Sequence, residues 1–217
     1  MRALRRVGLP ALLLVAVVVF ASVLMGRTVA VGGGGTSGDT RTLPIIMYHS
    51  LLKNPAVAGP YVISPDVVGE DMAWLAREGY TAVTISQVID FVNGQGDLPA
   101  QPVALTFDDG HLNNLTYLPE LLERYDFCAT ISVVGEYSET ATQLNDPAPA
   151  YAYLTWADIT ELSQNERVEI GNHSYFAHSR IPRQTGARTA YAGTLVQDAA
   201  DMQRALTERS GVTPRVY

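Results

Sequence analysis

Two apolar rhythms alternate along this chain of 217 residues. Continuous apolar runs at 103–107 and 127–134 predict strands buried on both faces. Runs at 43–48, 81–85 and 167–170 predict further strands. Between them the spacing turns helical. Val68, Met72 and Leu75 share one face of a helix that Ser64 caps, Pro65 opens and Gly79 follows. Ser86 is expected to cap a helix through Val92, and Thr155 one that runs to residue 165. Residues 115–125 predict a helix with Pro119 in its first turn. A long helix is expected over 189–209, with Gly211 beyond its end. Residues 135–153 read as loop, and 212–217 as the start of a strand.

Strands that alternate with helices predict an α/β fold with parallel strands, for which a barrel is a natural closure. His49, Asp108, Asp109 and His173 each follow the C-terminal end of a predicted strand. That edge is where α/β folds build their sites.

The first thirty residues stand apart. Arg2, Arg5 and Arg6 precede an uncharged apolar run at 7–26, and Arg27 closes it. This is the pattern of a signal peptide or an N-terminal membrane anchor, long enough to span a bilayer. Thr28, Val29 and Ala30 offer small residues for cleavage. The expected organisation is a signal or anchor over 1–30, a flexible glycine-rich linker over 31–42 and one domain over 43–217. Either form of leader places the domain outside the cytoplasm, extracellular or at the cell surface. A retained leader would attach it to the membrane through residues 7–26.

Charge narrows the partners. The leader holds four arginines and no acids, so the rest sets 11 basic residues against 22 acidic ones. That balance argues against nucleic acid, which needs clustered Lys and Arg. The single cysteine, Cys128, cannot form an internal disulfide and reads as a buried structural thiol.

Asp108 and Asp109 end the run at 103–107, just before Gly110. Adjacent carboxylates repel, so a fold that keeps them together offers a cation or a shared proton. Successive side chains diverge at a strand end, so one carboxylate can bind a metal while its neighbour faces the metal's water. About sixty residues on, N-H-S-Y-F-A-H at 172–178 adds His173 and His178. Two carboxylates and two imidazoles suffice to hold a divalent metal and leave one acid for proton transfer. Two histidines and one carboxylate would also suit iron(II). A spacing of five does not put the histidines on one helix face, so a loop is expected there. Asn172 and Ser174 are candidates to orient the imidazoles by hydrogen bonds. His49 is a candidate to line the site, and His111 reads as a solvated loop residue.

T-F-D-D-G at 106–110 and H-S-Y-F-A-H at 173–178 resemble the first two motifs of the polysaccharide deacetylase family. This is carbohydrate esterase family four, or the NodB-homology domain. L-P-I-I-M-Y-H-S at 43–50 is similar to the opening of many exported members. The family's histidines more often stand four apart, and the spacing of five resembles a variant form. The resemblance covers residues 43–217. It implies a distorted (β/α) barrel, here incomplete at its C-terminal end. It implies Asp108 as catalytic base, with Asp109, His173 and His178 as ligands of zinc or another divalent metal. The implied reaction removes N-acetyl or O-acetyl groups from an extracellular or cell-wall polysaccharide. The implied partner is therefore an N-acetylated polysaccharide.

The family's third and later motifs have no counterpart up to Tyr217. The chain therefore reads as C-terminally truncated, with weak metal binding and little or no turnover expected of it. Two other readings compete. A glycoside hydrolase sets its carboxylates about 5–9.5 Å apart across a sugar, which adjacent Asp108 and Asp109 do not match. A non-catalytic surface carbohydrate-binding protein on a deacetylase-like fold is the alternative, and the complete ligand set argues against it.

Overall fold

The apolar runs assemble into a parallel sheet in the computed structural model, which describes residues 27–32, 40–54, 56, 58–178 and 185–217. Most of the leader, including the apolar run at 7–26, lies outside the described residues. No described helix is long and apolar enough to cross a membrane.

The strands are β1 (Arg27–Gly32), β2 (Thr40–Tyr48), β3 (Ser50–Leu51), β4 (Val62–Ile63), β5 (Thr81–Ala82), β6 (Pro102–Phe107), β7 (Ala129–Val133) and β8 (Val168–Asn172). The helices are α1 (Pro65–Arg77), α2 (Ile85–Val92), α3 (Leu112–Tyr125), α4 (Gly135–Leu144), α5 (Trp156–Leu162) and α6 (Thr185–Ser210). The main sheet runs β1-β2-β6-β7-β8, with β5 beside the first residues of β6. Only the β1–β2 pairing in it is antiparallel. Among the described residues the ladder stays open between β1 and β8. Residues 31–32 and 40–42, read from the sequence as linker, pair across the β1–β2 ladder.

Both faces of the sheet are covered, which explains the unbroken apolar runs. Side chains alternate along β6. Val103, Leu105 and Phe107 enter the larger core, with Met72 of α1, Leu118 and Leu122 of α3, Ile159 of α5 and Met202 of α6. Ala104 points the other way, into a smaller cluster with Leu43, Val83 and the α2 residues Val88 and Phe91.

Several sequence expectations are corrected. Thr84, not Ser86, caps α2, because Gln87 completes a reciprocal capping box with it. The Glu169 carboxylate then accepts from the Ile85 and Ser86 N–H groups at 3.0 and 3.2 Å. Pro119 sits mid-helix in α3, which starts earlier than predicted. Buried Asn113 anchors that early start: its Oδ1 accepts from Leu51 N–H (2.8 Å) and its Nδ2 donates to Pro149 O (3.0 Å). Residues 135–144, read as loop, form α4; its buried positions are Gly135 and Ser138, so it carries no apolar stripe. Residues 212–217 form no strand, although the buried Val216 accepts a hydrogen bond from Asn172 N–H at 2.8 Å. Cys128 is half-buried, with its thiol pushed up to about 11 by burial and by Glu169.

Candidate metal centre

The site forms where β6 and β8 end. The Asp108 N–H still donates to Tyr48 O (2.9 Å), continuing the ladder with β2. The chain then reverses, with Asp109 and Gly110 both in the left-handed region at φ 71°. The reversal thus begins at Asp109, directly after the last ladder residue, Asp108. Gly110 is required twice over. A Cβ there would lie 2.8 Å from Val133 Cγ1, besides the penalty of its positive φ. Gly110→Ala is expected to destabilise the fold by about 1–3 kcal/mol in denaturant unfolding. Val133→Ala in the same background removes the 2.8 Å contact but leaves the Val133 Cβ at 3.2 Å, so it should recover only part of the loss.

The second half of the site comes from the loop after β8. The His173 N–H donates to Val133 O (3.0 Å), pinning the loop to β7. Two imidazoles converge on one carboxylate oxygen: Asp109 Oδ1 is 3.5 Å from His173 Nε2 and 3.1 Å from His178 Nε2. Among the described residues that oxygen is buried and has no hydrogen-bond partner. His111 Nε2 lies 3.9 Å from Asp109 Oδ2, so His111 is partly buried at the site and not a solvated loop residue. His49 packs edge-on against Tyr61 at 4.9 Å and lies close enough to couple electrostatically with Asp108, His111 and His173.

Burial governs the charges. It raises the Asp108 carboxyl above the usual carboxylate range, against the opposing pull of His173 and His49. It lowers the His173 and His111 imidazoles, with the aspartates opposing.

Asn172 and Ser174 do not bond to the imidazoles. Asn172 is buried; its Oδ1 accepts from Ser174 N–H (2.9 Å) and its Nδ2 donates to Ala199 O (3.0 Å). It therefore shapes the loop backbone. Ser174 sits at φ 101°, with a buried hydroxyl that has no partner among the described residues.

The sequence reading missed the loop's main support. Asp198 of α6 is buried, and its two oxygens accept from the Tyr175 and Phe176 N–H groups, each at 2.7 Å. These amides lie between His173 and His178 in the chain. A signal was available: Asp198 stands at i−4 and i−8 from Met202 and Leu206, an acid on the buried stripe. Gly135 also shapes this region, because a Cβ there would run into the Tyr175 ring and sit 2.8 Å from Met202 Sδ.

The ligand-type atoms of Asp109, His173 and His178 all lie within 4.8 Å of one another. Ligand atoms about 2.0–2.1 Å from a tetrahedral ion are themselves roughly 3.3 Å apart. The separations of 3.1 and 3.5 Å fit that geometry, and the unpartnered Oδ1 is the atom a cation would satisfy.

The family model described as Polysaccharide deacetylase matches residues 95–217. A poly-beta-1,6-N-acetyl-D-glucosamine N-deacetylase of Escherichia coli K12 is 27% identical over 141 residues. The match takes in 63% of this chain and 21% of that protein, so the chain spans about a fifth of that relative's length. Among solved structures, a de-N-acetylase from Aggregatibacter actinomycetemcomitans has a TM-score of 0.67 at 25% identity, covering 80% of this chain and 77% of that one. IcaB from Ammonifex degensii shares the fold, with a TM-score of 0.61 at 22% identity over 80% of this chain and 71% of that one.

Proposed function

The chain belongs to the polysaccharide deacetylase family, and from that premise we propose that it is a metal-dependent hydrolase of acetylated polysaccharide. Its substrate class is an N-acetylated, or O-acetylated, polysaccharide outside the cytoplasm or in the cell wall. The relative that deacetylates poly-β-1,6-N-acetylglucosamine supports an N-acetylhexosamine polymer as the first substrate to test. The leader pattern at 1–30 supports export, by cleaved signal or by retained anchor.

One observation carries the reading: a buried, unpartnered carboxylate oxygen of Asp109 with two imidazole nitrogens at ligand-to-ligand distance. Asp109, His173 and His178 would hold the ion, and the mixed nitrogen and oxygen donors suit zinc. A bound divalent ion supplies Lewis acidity and lowers the pKa of its water towards roughly 7. Asp108, adjacent but turned by the backbone reversal, accepts a proton from the water that adds to the acetyl carbonyl. When the C–N bond breaks, acetate leaves and the amine nitrogen takes up a proton, which Asp108 carries. His49 and His111 border this space and orient or exclude groups of the substrate.

Zinc binding is the primary test and acetate release the second. Asp108→Asn should leave zinc affinity within a few-fold of wild type. Where the wild-type chain releases acetate from N-acetylglucosamine oligomers, Asp108→Asn should lower that rate by about 10²–10⁴-fold. If Asp108→Asn instead loses zinc and Asp109→Asn keeps it, the two aspartates exchange roles. If the wild-type chain retains no zinc, the metal-dependent reading fails.

A further inference from the structure

Behind His178 stands a residue that belongs to neither motif. Tyr137, in the first turn of α4, brings its hydroxyl to 3.2 Å from His178 Nδ1. Its ring meets the imidazole edge-on at 5.8 Å. The same ring packs against Tyr153 at 4.4 Å, and Tyr153 stacks on His111 at 4.9 Å. His111 then faces Asp109 Oδ2 at 3.9 Å, while His178 faces Asp109 Oδ1 at 3.1 Å. Four rings and one carboxylate thus close a circuit around the site.

The circuit is fastened to backbone at both ends. His111 and Tyr153 form an antiparallel bridge, flanked by Leu112 N–H to Ala152 O (2.9 Å) and Leu154 N–H to Gly110 O (2.8 Å). The start of α4 docks on the histidine loop through Gly135 N–H to Ser174 O (3.0 Å) and Glu136 N–H to Tyr175 O (2.9 Å). The backbone that carries Tyr137 is therefore held beside the histidine loop.

A neutral imidazole offers one N–H and one lone pair. Nε2 of His178 points at the Asp109 carboxylate, so a cation there needs the lone pair on Nε2 and the hydrogen on Nδ1. A ligating histidine usually passes that second N–H to a carboxylate, a backbone carbonyl or water. Among the described residues the atom in reach is a phenol oxygen.

We propose that Tyr137 is a positioning residue for the metal centre: it accepts the Nδ1–H of His178 and so fixes the tautomer that turns Nε2 towards the ion. Tyr153 and His111 keep the phenol in register with that nitrogen. The inference rests on the reading of Asp109, His173 and His178 as metal ligands.

The test uses the 217-residue chain and zinc alone, with affinity measured by competition against a chromophoric chelator. Tyr137→Phe keeps the ring and its packing and removes only the oxygen. It should weaken zinc binding by about 10–100-fold, with the unfolding midpoint of the metal-free protein unchanged. Tyr151→Phe removes an exposed phenol that donates to Asp146 Oδ2 (2.8 Å), and should leave zinc affinity at the wild-type value. Wild-type affinity in Tyr137→Phe would overturn this inference and leave the ligand reading standing. A lowered unfolding midpoint with unchanged affinity would also overturn it, showing a packing role only. A wild-type chain that retains no zinc would overturn both.

Discussion

Asp109→Asn is expected to cost the protein its zinc and, in the metal-free state, to make it more stable. The two effects have one origin. Asp109 Oδ1 is buried without a hydrogen-bond partner, between two imidazole nitrogens. For a bound cation that oxygen is a charged ligand, and a neutral amide is a poor replacement. The affinity loss should exceed the roughly 10–100-fold that outer-sphere changes cost. Without a cation the same oxygen is an unsatisfied buried acceptor, a penalty of about 1–3 kcal/mol. An asparagine amide can donate to an imidazole nitrogen and relieves part of it. Denaturant unfolding in chelator and zinc competition in buffer should therefore move in opposite directions. A parallel loss of stability and affinity would show that Asp109 holds the turn together and would remove the main support for a metal centre.

The largest stability effect is expected at Asp198. Asp198→Ala strips the partners from two backbone amides, Tyr175 N–H and Phe176 N–H, each now held at 2.7 Å. At about 1–3 kcal/mol for each orphaned donor, the variant should lose roughly 2–6 kcal/mol of unfolding free energy. Zinc affinity should fall as well, because these amides set the path of the chain between the two histidines. Asp198→Asn should fall between wild type and alanine, since its amide still offers an acceptor to one N–H but turns an NH₂ towards the other. Asp201, three residues on, bonds to the exposed side chains of Gln197 and Arg204. Asp201→Ala should stay within about 0.5 kcal/mol of wild type. Equal losses at 198 and 201 would mean that the loop does not depend on the buried carboxylate.

Asp108, Asp109, His173 and His178 were legible as a group because paired acids and a short histidine cluster both follow apolar runs. Those runs also revealed the parallel sheet, since a strand buried on both faces needs no polar positions. The supports of the site were harder to see, each for its own reason. Tyr137 lies in G-E-Y-S-E-T-A-T-Q-L, where the buried helix positions are a glycine and a serine and periodicity has no signal. Asp198 looks like any surface acid until its place on the stripe of Met202 and Leu206 is counted. The α2 cap was present in the sequence as T-x-x-Q at 84–87, a stronger signature than a lone serine. His111 was read as solvated because the sequence does not show that Tyr153 folds over it.

The left-handed turn at Asp109 and Gly110 bears on any attempt to transplant this motif. Asp108 and Asp109 have identical side chains, so chemistry alone cannot tell a base from a ligand. The difference between them is written in main-chain torsions: an extended ladder residue followed by one at φ 71°. A grafted D-D-G tripeptide would therefore carry the functional groups without the backbone on which the proposed roles of base and ligand depend. The graft would also need the strand pairing that holds Asp108 and the clearance beside Val133 that lets Gly110 turn.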